Sequence, residues 1–432
     1  MKSKILGLTI ILGLVFLALT TGFMLDFIFF YPLFMSFIWI IGGTYFYFHW
    51  ERKSPGPDVA PKIENAPLVS ILIPCFNEGR NAEETVAAAN RQSYPDYEII
   101  AINDGSSDDT GEILDELAKE YPRLRVIHFA KNQGKAMALR MGTLAAKGEF
   151  LVTVDGDALL HPNATSYLVR SMIFNPRVGA VTGNPRVRTR VSLLGKVQVG
   201  EFSSIIGLIK RSQRIYGHIF TISGVIAAFR RRALHDCGYW DLSIITEDID
   251  ISWSLQLKHW QIQYEPCALA WILMPETLRG LWKQRLRWAQ GGAEVFFKNI
   301  TRVWRWRDKR IWMLIVDFCL STTWAFTYAL AVVLWGVGKF TVLPPDLNVP
   351  TIWPPAFWGL MLATAALMQF ITALIIETRY DHKLLRIMFW TIWYPIFFWM
   401  LSLVTTIIGL PKAFLTDRNR RALWDSPDRG FQ

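Results

Sequence analysis

Cysteine is scarce in this chain. The four present, Cys75, Cys237, Cys267 and Cys319, are scattered, and none stands in a Cys-x-x-Cys pair. That excludes a thiolate zinc site or a dithiol redox centre and suits reduced, packed thiols of a domain facing the cytoplasm. Acidic residues are the minority charge, 36 Asp and Glu against 46 Lys and Arg, for a formal net charge of +10. A basic excess raises the question of nucleic acid, but no zinc-finger, basic-zipper or RNA-binding signature accompanies it. Many Lys and Arg instead flank apolar segments, the pattern that marks the cytoplasmic side of a membrane and suits anionic headgroups. Nucleic acid is therefore excluded as a partner. A small-x-small cleavage site is also missing after the first apolar run, which reads as a membrane span rather than a removable signal.

What the chain has in plenty is apolar and aromatic surface. Hydrophobic residues make up 52% of its 432 positions, aromatics 14%, and Trp alone occupies 19. The excess lies at the two ends, and the middle has the composition of a cytosolic domain. Ile5 to Leu25 and Phe27 to Trp50 are each long enough to cross a bilayer, with Asp26 between them. Lys2, Lys4, Arg52 and Lys53 put both ends of this hairpin in the cytoplasm. Ile311–Val337, Ala356–Ile376 and Ile387–Leu410 are three further candidate spans, the last kinked at Pro395 if helical. Five crossings from a cytoplasmic start would leave Lys412, Arg418, Arg420 and Arg421 outside, against the charge rule, so either one segment is re-entrant or the tail breaks the rule. The expected organisation is two membrane helices over 1–53, a linker over 54–67, a cytosolic domain over 68–275, amphipathic interface helices over 276–310, about three membrane helices over 311–410 and a basic tail over 411–432.

In the middle, strand-like runs begin at Val69, Tyr97, Arg125 and Phe150 and alternate with helical sequence. This predicts a parallel, Rossmann-like sheet. Asn81 with Glu84 suggests a capping box for the helix through Arg91. A further strand is expected over 178–184, helix over 194–214, and strands around a Ser223-Gly224 bend over 218–229.

The run Phe150-Leu-Val-Thr-Val-Asp155-Gly-Asp157 enters two carboxylates one residue apart. Alternation along a strand points Asp155 and Asp157 at one volume, at the strand edge where open α/β sheets bind ligands. A pair of this kind suits a hard divalent cation that also touches phosphate oxygens, although a lone Asp-x-Asp is more often a solvated turn. Asp104 either caps a helix or contacts a nucleoside. Lys135, at a helix start after Gly134, is a surface lysine or a diphosphate anchor. Thr246-Glu247-Asp248 is an N-cap or carries a general base that takes the proton of a sugar hydroxyl. Gln284-Arg-Leu-Arg287-Trp288 is a basic interfacial helix, or it offers Arg287 to phosphate and Trp288 to a sugar face.

Taken in order, Asp104, Asp155-x-Asp157, Thr246-Glu-Asp248 and Gln284-x-x-Arg287-Trp288 resemble the motif set of the processive, inverting membrane glycosyltransferases of GT-A fold. Within that family the chain is similar to the bacterial poly-β-1,6-N-acetyl-D-glucosamine synthases. Ile73-Pro-Cys-Phe-Asn-Glu78, Asn103-Asp-Gly-Ser106, Asn132-Gln-Gly-Lys135, Ser223-Gly-Val-Ile-Ala-Ala-Phe229 and Trp271-Ile-Leu-Met-Pro-Glu276 also carry the likeness. It implies an α/β GT-A domain inserted between transmembrane helices, with interfacial amphipathic helices beside the membrane. It implies a metal-dependent hexosyltransferase that uses UDP-N-acetylglucosamine and Mg²⁺ or Mn²⁺ to extend a biofilm polysaccharide and export it. In that scheme Asp157 and Asp155 hold the metal, and Asp248, Gln284, Arg287 and Trp288 serve catalysis. Pro74, Asn77, Glu78, Asp104, Lys135, Asp155, Ser223, Gly224 and Glu247 bind substrate. The implied setting is the bacterial inner membrane, in contact with lipid and the growing chain. A small membrane partner subunit is implied as well, with cyclic di-GMP acting on the complex. A synthase of a chitin-like or hyaluronan-like polymer, a single-transfer enzyme acting on a lipid carrier, and a non-catalytic export or sensory protein are the competing readings. The Gln-x-x-Arg-Trp helix argues against the lipid-carrier enzyme, and the intact acidic set against the non-catalytic protein.

Overall fold

The computed structural model describes residues 2–392, 394–417 and 421–423. Two apolar helices open the chain, α1 (Lys2–Thr20) and α2 (Met24–His49). Asp26, expected between them, lies in the first turn of α2, and the chain reverses at Gly22, whose φ of 69° is in the left-handed region open to glycine. The elements of the middle domain follow. They begin with β1 (Val69–Cys75), α3 (Gly79–Asn90), β2 (Tyr97–Asn103), α4 (Thr110–Glu120), β3 (Leu124–His128), α5 (Lys135–Ala145) and β4 (Phe150–Val154). They continue through β5 (Leu159–Leu160), α6 (Ala164–Phe174), β6 (Val178–Val187), α7 (Leu193–Glu201), α8 (Gly207–Tyr216), β7 (Ile226–Arg230), α9 (Arg231–Cys237), α10 (Glu247–Leu257) and β8 (Gln261–Ile272). The long interface helix α11 (Leu278–Asn299) leads into α12 (Trp312–Val337), α13 (Ala356–Glu377), α14 (Met388–Thr391) and α15 (Tyr394–Leu415).

The sheet runs β3-β2-β1-β4-β7-β6-β8-β5. Its first four strands are parallel, as the alternation of strands and helices predicts. Residues 69–75 and 150–154 are buried throughout, the mark of central parallel strands covered on both faces. The other half is mixed: β7 pairs antiparallel with β4 and β6, while β6 and β8 are parallel. The chain runs outward from β1 to β2 and β3, then returns to β4 on the other side of β1. The β1/β4 boundary is therefore a switch point, where α/β sheets open a ligand crevice at their carboxyl edge.

Several local expectations change. The Asn81/Glu84 capping box does not form: α3 starts at Gly79, and Asn81 Nδ2 donates to Glu78 Oε2 at 3.0 Å. Residues 218–225 are loop, and only Ile226–Arg230 form a strand. The last apolar helix starts at Tyr394 rather than Ile387, which places Pro395 in its first turn, where a missing N–H costs no hydrogen bond.

Among the described residues five helices are long and apolar enough to cross a membrane. Lys4 Nζ donates to the Phe414 and Thr416 carbonyls at 2.7 Å each, so the start of α1 and the end of α15 share one face. At its other end α15 follows α14, which packs on α7 of the middle domain. The tail returns to that domain too, where Ala422 N donates to Leu242 O at 2.9 Å. Arg418 and Arg420 lie outside the described residues.

A buried ion network pins the apolar helices to the middle domain. Arg211 on α8 is fully buried and grips both oxygens of Glu51 at 2.7 Å and Glu377 at 2.5 Å. Glu377, at the end of α13, also pairs with Arg186 of β6, and Arg190 reaches Asp381 at 2.5 Å.

Candidate active site

Asp155 and Asp157 leave the end of β4 at the switch point. Their turn is backed by the end of β1: a Cβ on Gly156 would meet Glu78 Cγ at 3.0 Å and the Pro74 carbonyl at 3.1 Å. Thr85 Oγ1 donates to the Gly156 carbonyl at 2.9 Å and fixes the turn from behind. Asn77 takes a left-handed φ of 54°, which asparagine tolerates, and its Oδ1 accepts Ser107 N–H at 2.9 Å.

Asp104 is fully buried, and its two oxygens accept Gln133 N–H at 2.7 Å and Gly134 N–H at 2.9 Å. Burial raises its pKa, against the effect of these two bonds. Asp104 therefore fastens the loop before α5 and so sets Lys135. The Lys135 ammonium lies 2.5 Å from Asp155, 3.2 Å from Glu247 and 3.2 Å from the Gly224 carbonyl. Burial opposes its charge, but Asp155, Glu247 and Asp248 outweigh that and hold its pKa above the ordinary lysine value. One cation thus ties together β4, the 223–224 bend and the start of α10.

Asp248 stands on the first turn of α10, beside that bend. A Cβ on Gly224 would come within 3.1 Å of Asp248 Oδ2, so glycine permits the close approach. Burial and the neighbouring Glu247 push the Asp248 carboxyl up to about 6, against Lys135 and Arg287. On α11, Arg285 bonds Glu201 at 2.8 Å and stacks on Trp288, 4.2 Å from its ring centre. Gln284 Oε1 is buried without a hydrogen bond, and Arg287 is exposed.

A single cavity of about 690 Å³ joins these groups. Lys135, Asp155, Asp157, Ser223, Gly224, Glu247 and Asp248 line one end, together with Gln284, Arg287 and Trp288. Pro74, Asn77, Glu78 and Asp104 are not among the cavity's lining residues. The cavity continues between the membrane helices to Tyr31, Trp39, Asp317, Trp324 and Trp399. Trp39 stacks on Trp399 at 6.1 Å, and Trp324 meets the same ring edge-on at 5.1 Å. The sequence motifs did not single out Arg285, Lys210 or these four rings.

The residues present fit a hard divalent cation. Asp155 Oδ1 is buried and pairs with the Lys135 ammonium at 2.5 Å, and Asp157 is 8% exposed on the same wall. Among the described residues no group of three or more His, Cys, Asp or Glu could hold an ion by itself. Two carboxylates completed by substrate phosphate oxygens match the way Mg²⁺-type ions are bound.

The profile of the family described as "Glycosyltransferase like family 2" matches residues 66–291. A poly-β-1,6-N-acetyl-D-glucosamine synthase of Staphylococcus epidermidis is 38% identical over 94% of this chain and 98% of its own. The synthase of the same name from Staphylococcus aureus strain COL is 37% identical over 94% and 98%. Among solved structures, a mannosyltransferase from Pyrobaculum calidifontis in complex with GDP-Man and Mn²⁺ shares the fold. Its TM-score is 0.52 at 22% identity, over 83% of this chain and 99% of that one.

Proposed function

The chain belongs to the glycosyltransferase-like family 2, and from that premise we propose that it extends a β-1,6-linked poly-N-acetylglucosamine chain processively from UDP-N-acetylglucosamine. The observation that carries this reading is the one cavity running from the acidic wall into the aromatic-lined space between membrane helices. A donor bound at the sheet edge and a polymer leaving between the helices would share it.

In this reading the donor diphosphate lies over Lys135 and Arg287, and Asp155 and Asp157 would hold a divalent cation against it. When bound, that cation supplies Lewis-acid stabilisation of charge on the departing diphosphate. Asp248 accepts the proton of the acceptor 6-hydroxyl. The hydroxyl oxygen forms its bond to the anomeric carbon as the bond from that carbon to the diphosphate oxygen breaks. UDP leaves with the electron pair, and the configuration inverts in a single displacement. A base near neutrality suits this step, because a carboxylate with a raised pKa is a stronger proton acceptor. Trp288, held by Arg285, offers a ring face to the acceptor sugar.

The Lys and Arg beside the apolar segments support a multi-pass inner-membrane enzyme with its catalytic domain in the cytoplasm. Export would be coupled to synthesis through the same cavity, with a small membrane subunit and cyclic di-GMP acting on the assembled complex. The test is labelled UDP-N-acetylglucosamine added to membranes containing the full chain, with and without that subunit. Long product that a β-1,6-specific glycosidase degrades is expected. Product of one added sugar, or resistance to that glycosidase, overturns the reading.

A further inference from the structure

Lys210 has no part in the reaction just described, yet it lines the same cavity on α8 and is only 6% exposed. Its ammonium donates to Thr182 Oγ1 at 3.1 Å, its one hydrogen bond among the described residues, and it forms no ion pair there. An ammonium has three donors, so two are left without a protein acceptor. Burial lowers its pKa to about 8, with Asp248 opposing from a distance. A buried cation with so little compensation is costly, and the cost calls for a missing acceptor.

Position narrows what that acceptor is. Thr182 Oγ1 also accepts Ser223 N–H at 2.8 Å, so Lys210 stands directly behind the Ser223–Gly224 bend, where Asp248 also approaches. The anionic donor already has Lys135 and Arg287 in the same cavity to meet its charge. The remaining occupant is the acceptor end of the chain. A sugar hydroxyl donates as well as accepts, whereas an amide carbonyl only accepts and matches a group that only donates.

We propose that Lys210 is a specificity-determining residue that donates to the acetamido carbonyl of the acceptor sugar and so selects an N-acetylated chain end over one bearing a free amine. The inference rests on the polymer-synthase reading. A de-N-acetylated end lacks the carbonyl and brings a second cation beside Lys210.

The experiment uses membranes containing the full chain, UDP-N-acetylglucosamine, and short β-1,6 oligosaccharide acceptors, either N-acetylated or de-N-acetylated. The wild type is expected to extend the acetylated acceptor at least about tenfold more efficiently. Lys210→Met should raise the KM for that acceptor by about tenfold, the loss of one such bond, and should erase the preference. The donor KM and UDP affinity should stay unchanged, and Lys210→Arg should keep part of the preference. Equal use of both acceptors by the wild type overturns the inference without reference to any variant's folding. So does an unchanged preference in Lys210→Met, or a loss of UDP affinity matching the loss of acceptor. If wild-type membranes transfer N-acetylglucosamine to neither acceptor, the synthase reading itself falls.

Discussion

Lowering the pH should silence this enzyme well before an ordinary aspartate would protonate. Burial first, and Glu247 second, lift the Asp248 carboxyl to about 6. The base works only when ionised, so activity is present above this value and is lost as pH falls through it. By simple titration about nine-tenths of the base is ionised at pH 7 and about one-tenth at pH 5, so kcat/KM should fall about tenfold for each unit below 6. A base at the ordinary aspartate value would leave the rate flat down to about pH 5. The assay is initial transfer of labelled sugar at subsaturating donor and constant ionic strength, because kcat/KM reports the free enzyme's titration. Glu247→Gln removes the like charge and should move the midpoint down while leaving the shape of the profile intact. A rate flat to pH 5, or a midpoint indifferent to Glu247→Gln, would refute the assignment of Asp248 as the base.

Replacing Asp157 with Ala should weaken Mn²⁺-dependent UDP binding in calorimetry, and an unchanged metal dependence would count against its role. Arg211→Met strands two buried carboxylates, Glu51 and Glu377, and should destabilise the protein by about 3–5 kcal/mol. A thermal melt in detergent that does not move would refute the network's importance. Gly224→Ala sets a methyl 3.1 Å from Asp248 Oδ2 and 3.4 Å from the Lys135 ammonium. Turnover should fall sharply while UDP affinity is retained, and equal losses in both would refute a local effect.

The nucleotide-binding half of the fold was readable because its strands are buried on both faces and so appear as mainly apolar, β-branched runs, as in Val69–Cys75 and Phe150–Val154. The candidate membrane segments were readable as long, nearly charge-free apolar runs. The strand Gln261–Ile272 was not: Pro266 interrupts it, and its first residues alternate in burial before a continuous buried run. Asp104 showed only that it ends a strand. That both its oxygens would serve the loop before α5 depends on a contact 29 and 30 residues away. The partners of Arg211 lie 160 and 166 residues away, so no local pattern could announce them. Lys210 drew no reading within the expected helix over 194–214, because nothing in its neighbours shows which face of α8 meets β6. Motif spacing exposed Asp155, Asp157, Asp248 and the Gln284–Trp288 run that line the cavity, while the contacts that hold them in place emerged only from the packed chain.

The ion cluster around Arg211 bears on how a finished sugar could move. It ties the sheet to the end of α13 and to Glu51 just past α2, so these parts move as one piece. On the proposed reading, each bond made at the sheet edge must itself supply the thrust, and the polymer would creep out by the length of one ring per turnover, like a thread pushed through a fixed eyelet.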